Sequence, residues 1–358
     1  MKKFKAMLLA LIVTAAMTTG CAAGGNDSNS GVSDTTVSAE TTSAADTASL
    51  ETEKTDEETA KATEATEPEN GGEDDEENYD TGDAALDNIR NQDGIGESEL
   101  LVISFGTSFN DSRRLTIGAI ENDLEAAFPD FSVRRGFTAN IVIDHVERRD
   151  GIHIDDINEA LDRAANNGVK TLVIQPTHLM NGIEYEEIVG NVANYSDAFE
   201  KVVFGEPLLT SDDDFKRVEK AITEWTAEYD DGETAVVFMG HGTEHEANGV
   251  YPKLQDMLTS DGYSNYFIGT VEAAPTLDDV LAAVKNGGYK RVILEPLMVV
   301  AGDHANNDMA GSDEDSWKTA FENEGYEVVC LLRGLGENEE IRQIYIDHAQ
   351  AAINSITE

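Results

Sequence analysis

The sequence predicts an α/β protein built from two similar doubly wound lobes of the flavodoxin or Rossmann type, each with a parallel sheet, and a cleft between them. Two observations predict this architecture. Beyond residue 97, short apolar runs alternate with amphipathic stretches, a pattern typical of parallel strands joined by helices. The second half of this region also repeats blocks of the first in the same order, which indicates a duplicated lobe.

The first lobe is predicted to occupy residues 96–232. Apolar runs bounded by polar residues predict strands at residues 100–105, 131–137, 171–176 and 201–204. Helical spacing of apolar residues predicts helices at residues 113–128, 155–167, 185–198 and 211–229. Together these elements make one complete set of alternating strands and helices.

The second lobe is predicted to occupy residues 233–358. Its strands at 235–239 and 291–298 match earlier segments: residues 288–296 align with 168–176, and Gly302 follows the second block as Gly182 follows the first. Phe105-Gly106-Thr107 similarly aligns with His241-Gly242-Thr243. A cleft between two such lobes is the usual place for a ligand, and the second lobe is expected to carry a metal site there.

The N-terminal residues predict export. Residues 1–20 combine a basic start with an apolar segment too short to span a bilayer comfortably, as in a signal peptide. Thr18-Thr19-Gly20-Cys21 resembles a bacterial lipoprotein cleavage box, which predicts lipidation of Cys21. The alternative is an ordinary cleaved signal in which Cys21 is incidental. Both readings place the protein outside the cytoplasm, and the first anchors it to the cell membrane.

Residues 21–95 predict a disordered acidic tether rich in Thr, Ser and Glu. This segment contributes much of the net charge of −46 and has too few apolar residues to form a core. An acidic cation reservoir is the alternative function for it. Because the folded part is acidic too, nucleic acid is excluded as an expected partner. Cys330 lies in an apolar run, so a buried core thiol is expected and no disulfide framework.

Two histidines and one glutamate follow predicted strands of the second lobe. His241 lies between two glycines after one strand, His304 follows another, and Glu272 follows a third apolar run. Ligands of open α/β sheets bind beyond the carboxyl ends of strands, so these side chains are candidate metal ligands. Such an open N,N,O set suits Co²⁺, Ni²⁺, Fe²⁺ or Zn²⁺, and free imidazoles also act as bases near neutral pH. The alternatives are a histidine capping its own turn at His241 and a solvated surface charge at Glu272.

These residues resemble the anaerobic sirohydrochlorin cobaltochelatases, which belong with the ferrochelatases among the class II chelatases. The resemblance extends from about residue 100 to near the C-terminus and includes Met239-Gly240-His241-Gly242, Val271-Glu272, and the block 296–310 with Ala301-Gly302-Asp303-His304. It implies that His241, Glu272 and His304 bind the metal. It further implies insertion of Co²⁺ into a sirohydrochlorin-type tetrapyrrole during anaerobic cobalamin biosynthesis, with release of two protons and no nucleotide. His241 is then the expected base, and Glu272 the expected proton relay.

Several residues of the first lobe are candidate macrocycle contacts. Phe105, Gly106 and Thr107 lie in the matching stretch Ser104-Phe105-Gly106-Thr107-Ser108 and are expected at the substrate. His178 matches a histidine of the family and is expected either to line the macrocycle pocket or to pack in the core. Arg113, beside Arg114, is expected either to meet macrocycle carboxylates or to lie in a solvated first helical turn.

Export leaves the physiological role open between three functions. The first is chelatase chemistry on a tetrapyrrole outside the cytoplasm. The second is a metal- or haem/tetrapyrrole-binding lipoprotein that feeds a transporter, and the third is a dechelatase that removes metal from a scavenged tetrapyrrole. A homo-oligomer is a further possible partner state, since relatives of this family can self-associate.

Overall fold

Two four-stranded parallel sheets organise residues 81–195 and 197–356, the part of the chain that the computed structural model describes. The strand order is β2-β1-β3-β4 in the first sheet and β6-β5-β7-β8 in the second. The same order in both sheets agrees with the internal repeat of the sequence. The prediction of a two-lobed α/β protein with parallel sheets is therefore confirmed.

The strands are short and the helices connect them in alternation. The strands are β1 Ser98–Ser104, β2 Ser132–Phe137, β3 Thr171–Pro176, β4 Lys201–Phe204, β5 Thr234–Gly240, β6 Tyr266–Thr270, β7 Arg291–Pro296 and β8 Glu327–Cys330. The α-helices are α1 Asn110–Leu115, α2 Ile117–Ala127, α3 Asn140–Asp150, α4 Ile157–Asn166, α5 Ile183–Ala193, α6 Asp212–Trp225, α7 Val250–Ser260, α8 Leu277–Gly287, α9 Trp317–Asn323 and α10 Glu339–Ser355.

Both faces of each sheet are buried, which is why the strands read as continuous apolar runs. In β1, Leu100 and Val102 point into one core cluster while Leu101 points into another on the opposite face. Val236 and Phe238 of β5 belong to the same cluster as Leu100 and Val102. The two lobes thus share a central core that fixes the ends of their strands relative to each other.

The last helix crosses back to the first lobe, so the predicted lobe boundaries differ from the structure at the C-terminus. In α10, the Tyr345 hydroxyl donates to the carbonyl of Thr177 at 2.8 Å, and Lys201 Nζ donates to the carbonyl of Ile356 at 2.8 Å. Residues 339–356 therefore pack on the first lobe, although they follow the second lobe in sequence.

The predicted helix 113–128 is two helices, because the backbone turns at Thr116 with φ −110° and ψ −81°. The hydroxyl of Thr116 donates to the carbonyl of Ser112, a bond that competes with regular helix geometry. The prediction also missed α3, whose buried residues are only Ile143 and Val146. Two apolar positions give too weak a periodic signal for a sequence-based assignment.

The predicted tether is too long at its C-terminal end. Residues 81–95 pack on the first lobe, with a 3₁₀ turn at Ala84–Leu86 and a buried Arg90. The predicted signal peptide, Cys21 and the tether up to residue 80 lie outside the described residues. Within residues 81–195 and 197–356, no helix is long and apolar enough to cross a membrane.

Candidate metal centre

The three predicted ligands follow adjacent strands of the second sheet. His241 is the residue after β5, Glu272 stands two residues beyond β6, and His304 stands eight residues beyond β7. Because β5 lies between β6 and β7 and all three strands are parallel, their carboxyl ends meet at one edge. Strand topology therefore brings together residues that are far apart in the sequence.

The side chains of these three residues converge. One possible ligand atom from each lies within 4.8 Å of the others. His241 Nε2 is 3.6 Å from Glu272 Oε1, and the His241 and His304 ring centroids are 4.7 Å apart, with the rings nearly perpendicular at 81°. The side chains of His241 and Glu272 are each 45% exposed and that of His304 33%, so a metal ion from solvent can reach all three.

A glycine after His241 permits the close approach of the loops that carry His241 and Glu272. The Glu272 amide donates to the His241 carbonyl at 2.8 Å, so the two segments run side by side. Gly242 has φ +89°, and a Cβ there would lie 2.8 Å from the Ala273 nitrogen. Any larger residue at this position would push the two ligand loops apart.

The His241 ring is oriented by its own turn. Its Nδ1 lies 2.8 Å from the Gly242 carbonyl oxygen, which can only accept a hydrogen bond. A hydrogen bond at this distance requires Nδ1 to donate, and Nε2 is then the nitrogen that faces Glu272. The two sequence-based alternatives for His241 are therefore compatible, because the ring can bond its turn through one nitrogen and keep the other for a ligand; the ligand role stays a prediction.

His304 is oriented by a carboxylate one turn away. Its Nδ1 lies 2.6 Å from Asp308 Oδ2, across a single π-helical turn at Ala305–Met309. This contact leaves Nε2 for a metal, and such carboxylate partners increase the basicity of a histidine ligand. Burial lowers the pKa of His304, but the hydrogen bond and charge of Asp308, aided by Asp303 and Glu272, outweigh burial and raise that pKa.

The predicted substrate loop of the first lobe faces the His304 loop of the second. Phe105 follows β1 with a partly exposed ring, while Thr107 is buried. A Cβ at Gly302 would lie 2.9 Å from Thr107 Oγ1, so these loops touch across the lobes. Gly106, at φ +108°, passes close to the Phe137 ring, which a Cβ would overlap at 2.6 Å. This loop is therefore held beside the metal centre.

Arg113 is not placed as predicted. Its side chain is fully buried, and its guanidinium donates to Asp87 Oδ2 at 2.7 Å, to the Thr107 carbonyl at 3.0 Å and to Asn110 Oδ1 at 2.5 Å. These contacts leave it neither in solvent nor within reach of a macrocycle carboxylate. Arg114 is partly exposed and pairs with Asp111. Asp87 was not predicted as a partner of Arg113, because it lies in the predicted tether.

His178 lies at the corresponding edge of the first sheet and is buried. Its Nε2 is 3.0 Å from Glu184 Oε2, and Glu184 stands where the repeat places His304 in the second lobe. This ion pair lies within the first lobe, and both alternatives for His178, lining the macrocycle pocket or packing in the core, stay predictions. The predicted metal ligands of the second lobe have no described contact with it.

A second group of possible ligands lies elsewhere on the first lobe. His153, Asp155 and Glu159 line a hollow of about 530 Å³ that contains none of the three predicted ligands. Both oxygens of Asp155 already accept hydrogen bonds from Arg163, at 2.7 and 2.9 Å. A cation there would have to displace a guanidinium, so this group is a weaker candidate than the strand ends of the second lobe.

Sequence reasoning missed the residue that joins the lobes next to His304. Ser112 Oγ, on α1, accepts a hydrogen bond from the Ala301 amide at 3.0 Å. A serine in a polar helical turn resembles any surface residue, and its partner lies 189 positions away. Only the folded chain shows that contact.

Known cobalt chelatases are similar to this chain over most of its length. A family model for cobalt chelatase (CbiK) matches residues 98–354. The chain is 40% identical over 259 residues to a sirohydrochlorin cobaltochelatase of Salmonella typhimurium, covering 72% of this chain and 97% of the relative. It is 31% identical over 276 residues to the sirohydrochlorin cobaltochelatase CbiKC of Nitratidesulfovibrio vulgaris, covering 76% and 97%.

A solved structure supports the fold alone. SirB from Bacillus subtilis with Fe³⁺ aligns at a TM-score of 0.50 and 12% identity, covering 74% of this chain and 98% of that one. The family itself is shown by sequence, since the family model spans most of the chain and both relatives match over nearly their full lengths. The chain belongs to the cobalt chelatase (CbiK) family.

Proposed function

We propose that the protein is a sirohydrochlorin cobaltochelatase, which inserts Co²⁺ into a sirohydrochlorin-type tetrapyrrole. The observation that carries this proposal is the convergence of His241, Glu272 and His304, with ligand atoms within 4.8 Å of one another. The names of the two curated relatives support the substrate pair. Two imidazoles and a carboxylate hold a divalent ion without completing its coordination, so positions remain for the ring nitrogens.

The reaction balances without a redox step. Two pyrrole N–H bonds break, bonds form between Co²⁺ and the ring nitrogens, and two protons leave. The site must therefore give up a cation and accept protons in the same event. Ligands that are also bases near neutral pH meet both requirements, because an imidazole that releases the metal regains a lone pair.

His241 is the proposed base and Glu272 the proposed relay. With Nδ1 bonded to the Gly242 carbonyl, Nε2 of His241 is the nitrogen able to take a pyrrole proton. Glu272 Oε1 lies 3.6 Å from that nitrogen, and its partly exposed side chain connects it to solvent. A proton accepted by His241 can move to Glu272 and then to water before the second proton is taken.

His304 is the proposed anchor for the incoming ion. Its partner Asp308 fixes the ring so that Nε2 faces the site, and Asp303 adds further negative charge nearby. In the first lobe, Phe105 offers an exposed aromatic ring for stacking against a macrocycle. The proposed order is metal bound on the second lobe, with the ring seated against the first.

The test is anaerobic incubation of the protein with sirohydrochlorin and Co²⁺, followed by macrocycle absorbance. We expect His304→Ala to slow insertion at least about a hundredfold, because loss of even an outer partner of a metal ligand costs up to that much. His145→Ala, a histidine on α3 outside the site, is the matched control and should keep the wild-type rate. Equal rates for His304→Ala and the wild type would refute the proposal. Ni²⁺, Fe²⁺ and Zn²⁺, tested in the same assay, rank the metals.

The predicted export favours a second function, in which the protein carries a metal or tetrapyrrole to a transporter or removes metal from the ring. The same assay separates these functions. A carrier binds Co²⁺ or the macrocycle while insertion proceeds at the rate of the protein-free control. A dechelatase releases Co²⁺ from preformed cobalt-sirohydrochlorin, and His304→Ala should abolish that release.

We also propose that the protein is anchored outside the cytoplasm through a lipid on Cys21. The support is the sequence alone: Lys2, Lys3 and Lys5 precede an apolar segment that ends near Thr18-Thr19-Gly20-Cys21. In cells fed labelled palmitate, the wild type should carry label in the membrane fraction. Cys21→Ala should lose the label, and label retained in that variant would contradict the assignment. A transporter partner and self-association stay predictions from the sequence.

A further inference from the structure

Residues 81–95, which we call the strap, precede the region that the family model matches and pack against it. The family model begins at residue 98. Two strap carbonyls accept hydrogen bonds from the first turn of α1: Thr81 from the Asp111 amide at 2.7 Å, and Gly82 from Asn110 Nδ2 at 3.2 Å. A six-residue helix has little stability alone, so such outside contacts matter for its placement.

Among the strap residues, Asp87 makes the buried ion pairs that bear on the candidate site. Its side chain is 1% exposed, and its carboxylate lies 2.7 Å from Arg113 Nε and 2.7 Å from Arg135 Nη1. Both guanidiniums are fully buried. Burial raises the pKa of Asp87, but the two arginines outweigh burial and lower that pKa, so the group remains a carboxylate. Arg113 has no other carboxylate among its described hydrogen bonds.

Arg113 connects Asp87 to the predicted substrate loop at residues 105–107. The same guanidinium that Asp87 holds donates to the Thr107 carbonyl at 3.0 Å. Thr107 in turn touches Gly302, two residues before His304. A buried arginine without its carboxylate would have to move toward another acceptor or toward water, because an unpaired buried charge is costly. The carbonyl that it holds would move with it.

Helix α1 provides a second connection to the same place. Arg113 lies next to Ser112, whose Oγ accepts from the Ala301 amide at 3.0 Å. The strap, α1 and the loop 301–304 are thus joined by consecutive hydrogen bonds. Displacement of α1 by a fraction of an ångström would reach the loop that carries His304.

We propose that the strap is a positioning element of the metal centre, and that Asp87 is its positioning residue, acting through Arg113 and α1 on the loop 301–304. The inference rests on the proposed function only in taking His304 as a metal ligand. It assigns a role in metal binding to residues that precede the family-model match. The strap is then part of the working site, in addition to joining the lobe to the preceding residues.

The test uses the full chain and measures the Kd for Co²⁺ of the metal-free protein from the visible absorption of bound cobalt. We expect Asp87→Asn to raise this Kd about tenfold or more, since small displacements of positioned groups have large effects. Ser112→Ala changes no charge and should also raise the Kd for Co²⁺. Asp93→Asn is the matched control in the strap, because Asp93 is exposed and pairs with Arg163 away from the site. It should leave Kd within about twofold, well below the tenfold effect.

A purely structural role gives a different pattern. Asp87→Asn would then lower Tm and the folded fraction but leave the Kd and KM of the folded protein unchanged, and that result would overturn the proposal. If Asp87→Asn fails to fold, Ser112→Ala decides, and a wild-type Kd in that variant overturns the proposal equally. A wild type that binds Co²⁺ without accelerating insertion would refute the proposed chelatase function and leave the comparison of Kd values valid.

Discussion

The contact between His304 and Asp308 sets the affinity of the candidate metal centre in a way that can be measured. His304 Nδ1 and Asp308 Oδ2 are 2.6 Å apart, a distance typical of a strong charge-assisted hydrogen bond. Asp308→Asn keeps the shape of the side chain but removes the charge. Loss of such a partner typically weakens metal binding 10- to 100-fold. Because Asp308 is 42% exposed, solvent screening favours the lower end, so we expect Kd for Co²⁺ to rise about tenfold, or about 1.4 kcal/mol.

The same substitution should change the pH dependence of binding. Burial lowers the pKa of His304, but the hydrogen bond and charge of Asp308 outweigh burial and raise that pKa from its ordinary value. A proton on His304 competes with Co²⁺, so wild-type affinity falls as pH drops through that raised pKa. Without the Asp308 charge, the pKa of His304 is lower, and the loss of affinity should begin at a lower pH.

Titration of the metal-free protein with Co²⁺ at a series of pH values measures both effects. Glu314→Gln is the control, since it removes one negative charge from an exposed side chain in the same loop region. It accounts for any general loss of attraction between the acidic surface and the cation. If Asp308→Asn and Glu314→Gln give the same Kd and the same pH profile, the reasoning about a positioned and charged histidine partner is wrong.

Two further predictions concern the scaffold. Burial raises the pKa of Glu99 to about 7, because the charges of Arg134, at 3.5 Å, and Arg163 offset burial only in part and the charge of Asp155 adds to it. The stability gained by the protonated form of Glu99 is therefore present below pH 4.5 and lost as pH rises through 7. In urea unfolding, the free energy of unfolding of Glu99→Gln should rise relative to the wild type by up to about 3 kcal/mol as pH increases from 4.5 to 7. Glu97→Gln, which changes an exposed glutamate, should show no such rise. Parallel stability curves for Glu99→Gln and the wild type would contradict this prediction. Gly242→Ala should lower the free energy of unfolding by about 2–5 kcal/mol and weaken Co²⁺ binding, because its Cβ would overlap the Ala273 nitrogen at a φ of +89°. The control Gly288→Ala, at φ +72° in open space, should lower it by about 1 kcal/mol and leave the Kd for Co²⁺ unchanged. Equal effects of the two substitutions on this Kd would refute the close-approach argument.

The sequence predicted those parts of the fold and site whose signals are local. Strands β3 and β4 have the predicted bounds, because each is a compact apolar run between polar residues. The convergence of His241, Glu272 and His304 followed from one topological rule, that parallel strands end at the same edge of their sheet. None of these predictions required knowledge of which side chains pair across long stretches of chain.

The parts that the sequence did not predict depend on such pairing. The polar neighbours of Arg113 in the sequence predict a surface cation, and the composition around Asp87 predicts one more acid of an acidic tether. Their 2.7 Å contact joins positions 26 residues apart and buries both groups. Composition describes an average over a segment, whereas the burial of a single carboxylate depends on the particular guanidiniums that it meets, here those of Arg113 and Arg135. A boundary drawn from composition between a charged segment and a folded domain therefore misses residues, such as Asp87, that pair with charges inside that domain.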